Sequence, residues 1–456
     1  MTAEQIEANS EKSSGAVEPG RASRKVVPRR ALGEWNPATR GHDALQTILA
    51  QNEIRDPQLL ALRHGRMAAS PWTYYRGAAA VMAADLASAP HTGINVQLCG
   101  DAHVLNFGLW NTPERNLAFD LRDFDETLPG PFEWDVKRFL VSLVVLARAN
   151  NLPADRAAEA VRQGYRGYRE WIGTYAQWPE LDIWYDRIDT DKLIAYTATD
   201  DDHHLDRMVE KRATKRTSRA AAKKLTTMVD GSTSIVEEPP YRTHVLTGQG
   251  EELEEIIRGY HASVPDHVAN LLTRFDLVDA VQQVVGVGSV GMRVYLALFE
   301  ERRTGDPLFL QVKQAGPSVY EQFLGVSAYD AHGARVIQGQ RMIQSATDMF
   351  VGWTSIAGRD FYVRQFRDGK VIPTGDMIAG RLPQFASACG HVLARAHARS
   401  GDAAAINDYL GKSARVEEVL TAFAFAYADQ NERDHARLAT AVADGSVPST
   451  EGWPGK

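Results

Sequence analysis

Cysteine is scarce: Cys99 and Cys389 are the two in 456 residues. Two thiols cannot build a disulfide framework, and the rest of the chain reads as cytoplasmic. Long apolar runs are missing too. No stretch approaches the roughly eighteen residues a membrane span needs, and the N-terminus lacks the apolar core of a signal peptide. Positive charge is not in excess either. A formal charge of -7 gives no general attraction to nucleic acid or to an anionic membrane, so neither is an expected partner. Oligomeric state leaves no sequence signal. What remains, with 44% hydrophobic and 24% charged residues, is the composition of an ordinary globular protein long enough for more than one lobe.

The pattern along the chain divides it. Residues 1–38 are polar and aperiodic and read as a disordered arm, basic in its second half through Arg24, Lys25, Arg29 and Arg30. Residues 39–250 read as a helical lobe. It contains an aromatic stretch around Arg76, a candidate phosphate ligand, and a helix from Asp135 that is apolar nearly all round and belongs inside a protein. Residues 251–370 are rich in strand formers, and 371–456 return to helix, completing the helical lobe. Asp200 to His204 carries metal-ligand chemistry without a recognised spacing, and Arg207 to Lys224 is a basic run that reads as a solvated face.

The densest chemistry lies between Gln97 and Asp135. A short apolar strand leads into Asp101, and Asn106 follows five positions later. A second strand, Leu117 to Phe119, delivers Asp120, Asp123, Asp125 and Glu126. Carboxylates and an amide at strand ends suit a hard divalent cation, and leave one carboxylate to take a proton from a hydroxyl.

The spacing Gly-Asp-x-His-x-x-Asn, then an apolar strand ending in Asp-Phe-Asp, resembles the catalytic and metal loops of protein-kinase-like phosphotransferases. The aminoglycoside and choline kinase branch is the most similar. Cys99 stands where that branch has its first His. The resemblance implies Asp101 as catalytic base, Asn106 as metal ligand and Asp123 as main metal ligand, with Asp125 or Asp120 as alternatives to Asp123. It also implies that Asp135, early in the buried helix, hydrogen-bonds the catalytic-loop backbone. The pocket for the phosphate acceptor is expected among the helices between residues 150 and 230.

A second stretch, Gly286-Val287-Gly288-Ser289-Val290-Gly291, has the Gly-x-Gly-x-x-Gly pattern shared by dinucleotide and kinase phosphate loops. A dinucleotide site needs a helix at the third glycine. Here strand formers follow from Met292 to Phe299, then a turn at Thr304 to Pro307, then the strand Leu308 to Val312. That is a hairpin over phosphate. Lys313 ends the last strand and resembles the kinase lysine that holds α- and β-phosphates. Its acidic partner is open, with Glu321 the nearest candidate. A hinge for adenine is expected between Arg364 and Asp368, with Arg364 among the cofactor-binding residues alongside Gly286, Gly288, Ser289 and Gly291.

Kinases run glycine loop, lysine, hinge, catalytic loop, metal loop; here the catalytic and metal loops come first. The expected fold is therefore α+β, a two-lobed kinase-like fold in circularly permuted order, with a small antiparallel β lobe and a larger helical lobe. Ser70-Pro71, Tyr75-Arg76-Gly77, Asp123 to Thr127, the glycine loop and His397 to Asp402 are together similar to the bacterial domain of unknown function 2252 family. The expected function is an ATP- and Mg2+-dependent transfer of phosphate to an unidentified small-molecule or protein hydroxyl. The alternatives are a catalytically silent nucleotide-binding scaffold and, more remotely, a dinucleotide-dependent oxidoreductase.

Overall fold

The computed structural model describes residues 19–197, 218–245, 249–366, 371 and 373–451. Asp200 to His204, residues 207–217 of the basic run, 1–18 of the expected arm and 367–368 of the expected hinge lie outside the described residues.

The fold is mixed α+β. Strands β1 (Asn95–Leu98), β2 (Phe107–Asn111), β3 (Leu117–Leu121) and β4 (Leu128–Pro131) come first; β1 pairs with β4 and β2 with β3, both antiparallel. Helix α1 (Phe132–Ala149) follows and is buried on every side from Phe132 to Ala147, as its all-round apolar pattern predicts. It starts three residues before the expected Asp135, because Pro131 at the N-cap position sets the entry. Around it pack α2 (Ala154–Tyr175), α4 (Leu382–Ala398) and α5 (Arg415–Ala443), with α3 (His332–Ile343) between the helical lobe and the sheet beyond. The tightest crossing is α2 on α4. A Cβ on Gly390 would stand 2.2 Å from the Gly164 carbonyl oxygen, so these backbones meet only because glycine is there.

The second lobe is a six-stranded antiparallel sheet. Its strands are β5 (Arg242–His244), β6 (Phe275–Gln283), β7 (Val294–Glu301), β8 (Pro307–Ala315), β9 (Gly352–Ile356) and β10 (Arg359–Gln365). They lie side by side in the order β9-β10-β8-β7-β6-β5. The period of two divides β7 between two cores. Tyr295, Ala297 and Phe299 face the helices Gln249–Tyr260 and Asp266–Leu272, while Leu296 and Leu298 face the helix Ser218–Leu225 and Ile235. The β-rich lobe therefore begins before the expected boundary at residue 251, since β5 is its edge strand.

The expected arm also needs correction. Residues 19–38 are ordered against the C-terminal helices: Pro19–Val26 is helical, and Val27 and Leu32 are buried. The basic residues explain this. Arg24 Nε donates to the Tyr409 carbonyl at 3.0 Å and Arg29 Nη1 to that of Leu410 at 2.9 Å, satisfying the end of the helix Ala403–Leu410. No helix among the described residues is long and apolar enough to cross a membrane.

Candidate functional site

Between the lobes lies a cleft of about 470 Å³. Asp101, Asn106, Asp123 and Asp125 line it from the helical side, and Gly286, Gly288, Ser289, Lys313 and Arg364 from the sheet. Lys313 and Asp123 thus meet across one space although 190 positions separate them in sequence. Gly291 is the exception. It sits behind the loop, where its carbonyl accepts from the Asp56 backbone N–H at 2.8 Å.

The loop that carries Asp101 leaves β1 through Cys99 and Gly100, and a buried carboxylate fixes its path. Asp135 on α1 accepts from the Cys99 N–H at 2.6 Å and the Gly100 N–H at 3.0 Å. The strapping role inferred from the resemblance is thus what its hydrogen bonds perform. Gly100 is at φ +86°, and a Cβ there would lie 2.3 Å from the Glu126 carbonyl oxygen, so glycine also lets the metal loop approach. Asp101 then enters the cleft with one oxygen committed, since Arg138 Nε on α1 donates to its Oδ1 at 2.6 Å. Burial pushes the Asp101 carboxyl up and Arg138 pulls against that; the balance stays above its ordinary value. Asn106 donates its amide to the Asp101 backbone carbonyl at 2.6 Å, which leaves its own Oδ1 as a ligand.

The acids divide by partner. Asp120 is fully buried and pairs with Arg395 at 2.5 Å, away from the cleft, so it is no metal ligand for this site. Asp125 pairs with Lys313, accepts from the Tyr362 hydroxyl at 2.6 Å, and lies 3.4 Å from Ser289 Oγ. Burial would raise its carboxyl, but the Lys313 ammonium and these hydrogen bonds bring it below the ordinary value. Asp123 is different: its Oδ1 is buried and has no hydrogen-bond partner. A buried carboxylate oxygen without a donor is the donor chemistry a hard cation completes.

The residues therefore fit a Mg2+ held by Asp123 and Asn106. Among the described residues no three His, Cys, Asp or Glu side chains are grouped to hold a metal. Mg2+ commonly takes one or two protein ligands and draws the rest from phosphate and water.

The acidic partner of Lys313 is thus Asp125, not Glu321. Glu321 accepts from the Ser318 N–H at 3.0 Å and lies 3.5 Å from Arg335 Nε. Helix α3 sends Arg335 to the Asp125 and Thr127 carbonyls and so braces the loop that carries Asp123 and Asp125. Burial would lower the Lys313 ammonium, yet Asp125, Tyr362 and Asp123 hold it above its ordinary value.

Arg364 is on β10 beside Gln311, which accepts from its Nε at 3.1 Å. It lines the cleft and faces Asp123 and Asp125. The glycine loop joins antiparallel β6 and β7 and ends in a strand, so the helix a dinucleotide pyrophosphate requires does not follow it. Helices between residues 150 and 230 contribute no described residue to the cleft, contrary to the acceptor pocket expected from them. Its remaining wall comes from the N-terminal segment: Gln51, Ile54, Arg55, Arg76, Gly77 and Ala79.

Two site residues, Arg55 and Arg122, gave no signal in the sequence. Arg55 and Arg122 line the cleft, and burial lowers both guanidinium groups to about 10. Glu126 is pushed up to about 7 by burial. His103, beside Asp101, is held well below its ordinary value by burial and by Arg76. Arg138 had one usable cue, since it follows Asp135 by three positions on the same helix face.

The chain matches over residues 55–441 the family model DUF2252, described as an uncharacterized protein conserved in bacteria. No curated protein and no solved structure matches it.

Proposed function

This chain belongs to the bacterial DUF2252 family, and we propose that it is an ATP- and Mg2+-dependent phosphotransferase of kinase-like fold in circularly permuted order. The acceptor is a hydroxyl on a small molecule or a protein. The observation that carries this reading is the orphaned Asp123 oxygen in the same cleft as Lys313, Asp101 and the glycine loop.

Each residue has a distinct task. Asp101 keeps Oδ1 on Arg138 and offers its other oxygen to the acceptor proton; its raised affinity for protons makes it a better base than a solvated carboxylate. Lys313, anchored by Asp125, and Arg364 present fixed positive charge to the polyphosphate, which needs no reorganisation during transfer. Asp123 and Asn106 would hold Mg2+, which would supply positive charge beside the transferring group. The glycine loop lets backbone approach the phosphates closely.

A non-catalytic nucleotide-binding protein is the second reading, favoured by one observation: Arg138 holds Asp101 as an ion pair. Thermal-shift titration followed by a transfer assay separates the two. ATP with Mg2+ at a hundred times its Kd should stabilise the protein by about 2.7 kcal/mol. Labelled phosphate moving to an acceptor from a metabolite screen then supports the enzyme. Binding without transfer to any acceptor or to water supports the scaffold, and no shift with any nucleotide removes both.

A further inference from the structure

The cleft is lined by five cationic side chains, Arg55, Arg76, Arg122, Lys313 and Arg364, and by four acids, Asp101, Asp123, Asp125 and Glu126. Lys313 and Arg364 are on the sheet wall, whereas Arg76 comes from the helical wall beside Asp101 and His103, with its backbone carbonyl near the glycine loop at Gly288. Arg76 differs from its neighbours in being uncommitted. Arg138 pairs with Asp101, Arg122 Nε donates to the Leu105 carbonyl at 3.0 Å, and Arg364 is held by Gln311. The Arg76 guanidinium has no hydrogen bond or ion pair to any described residue, and its Nε is buried without a partner. Asp101 and Asp123 attract it only at longer range.

A largely buried, unpaired guanidinium is costly unless an anion completes it. Its planar fork of donors matches a phosphate or carboxylate in two-point contact. The position decides which anion. The acceptor hydroxyl must reach Asp101, and Arg76 is on that side of the cleft.

We propose that Arg76, supported by Arg122, forms an anion seat next to Asp101, so that the phosphate acceptor is itself an acid, a hydroxylated phosphate ester or carboxylate. This rests on the nucleotide reading above and names the substrate class for the same site. The seat fixes the acid group while the hydroxyl of the same molecule faces Asp101.

The test uses the full-length protein saturated with Mg2+ and the non-hydrolysable analogue AMP-PNP, into which inorganic phosphate is titrated by calorimetry. Wild type should bind phosphate with the analogue still in place. Arg76→Gln should weaken that phosphate binding by about tenfold or more, the scale of one lost hydrogen bond to a charged group, while AMP-PNP affinity stays unchanged. Arg76→Lys keeps the charge and should retain part of the binding, which separates loss of the seat from loss of folding. Phosphate that displaces AMP-PNP, fails to bind the complex, or binds Arg76→Gln as it binds wild type overturns the seat. Failure of AMP-PNP to bind wild type is seen in the preceding titration; it would remove the nucleotide reading and this acceptor assignment with it.

Discussion

Asp101 and Asp123 are set apart by what already holds them. Asp101 is satisfied by Arg138 on one oxygen, whereas Asp123 keeps a buried oxygen with nothing to accept from. Asp101→Asn should therefore leave Mg2+-dependent ATP affinity nearly unchanged and lower turnover by about a hundredfold or more, the range of general-base catalysis. Asp123→Ala should weaken Mg2+-dependent binding as well. Equal loss of metal binding in both variants would contradict this division. Glu126 gives a pH signature. Its carboxyl titrates near 7 in the folded protein against an ordinary 4.5, so between those values the folded state binds more protons than the unfolded one. Stability from this group is present below about pH 4.5 and is lost as pH rises through 7. Glu126→Gln should flatten that fall in melting temperature relative to wild type; parallel curves would mean that Glu126 is not the titrating group. At this scale the legible residues were those with a fixed spacing, Asp101, Asn106, Asp123 and the glycines. Arg76 stood out through its aromatic neighbours, whereas Arg55 and Arg122 reach the cleft through tertiary folding that no sequence spacing encodes.

The loops that carry Asp101 and Asp123 hold each other. Asp135 takes two backbone N–H groups of the catalytic loop, the Thr127 hydroxyl donates to the Leu98 carbonyl at 2.6 Å, and the Cys99 thiol lies 3.2 Å from the Asp123 carbonyl. Gly100 is the pivot of this contact. Gly100→Ala should cost at least about 3 kcal/mol, because a left-handed backbone and an unyielding carbonyl both oppose the methyl group. Gly305 makes the comparison: it is at φ +68° in the turn between β7 and β8, and a Cβ added there would meet nothing within 4 Å. Gly305→Ala should cost only about 1–2 kcal/mol. Urea midpoints measure both, and equal losses would show that backbone angle alone, not loop contact, governs Gly100. The β6-β7-β8 meander was legible because strand formers flank the glycines on both sides. The order of residues 19–38 was not, since their burial depends on carbonyls near Tyr409 that a local pattern cannot register.

At the scale of the whole molecule, the chain visits the helical lobe first, builds the sheet, and returns to the helical lobe through α4 and α5. The return is firm: His397 on α4 lies 3.4 Å from Asp135 on α1, and α4 crosses α2 at glycine contact. The N-terminal segment then closes the cleft from outside. Arg66 donates to the Gly286 carbonyl at 2.6 Å, and Val287 is buried against Met67 and Tyr74. The glycine loop is thus pinned to the helical lobe and does not hang free from the sheet. Two lobes, an antiparallel sheet and a joint cleft followed from motif order and strand pattern. The docked N-terminal wall did not, since its helices carry no motif and its cations are spaced for a surface they meet only after folding.

If loops far apart in sequence form one Mg2+-nucleotide site, calorimetric titration of ATP into wild type, Lys313→Ala and Asp123→Ala will reveal it. Wild type should bind ATP only when Mg2+ is present, and each substitution should weaken binding by about tenfold or more, at least about 1.4 kcal/mol. Absence of Mg2+-dependent ATP binding to wild type, or affinities in both variants equal to it, would contradict the account.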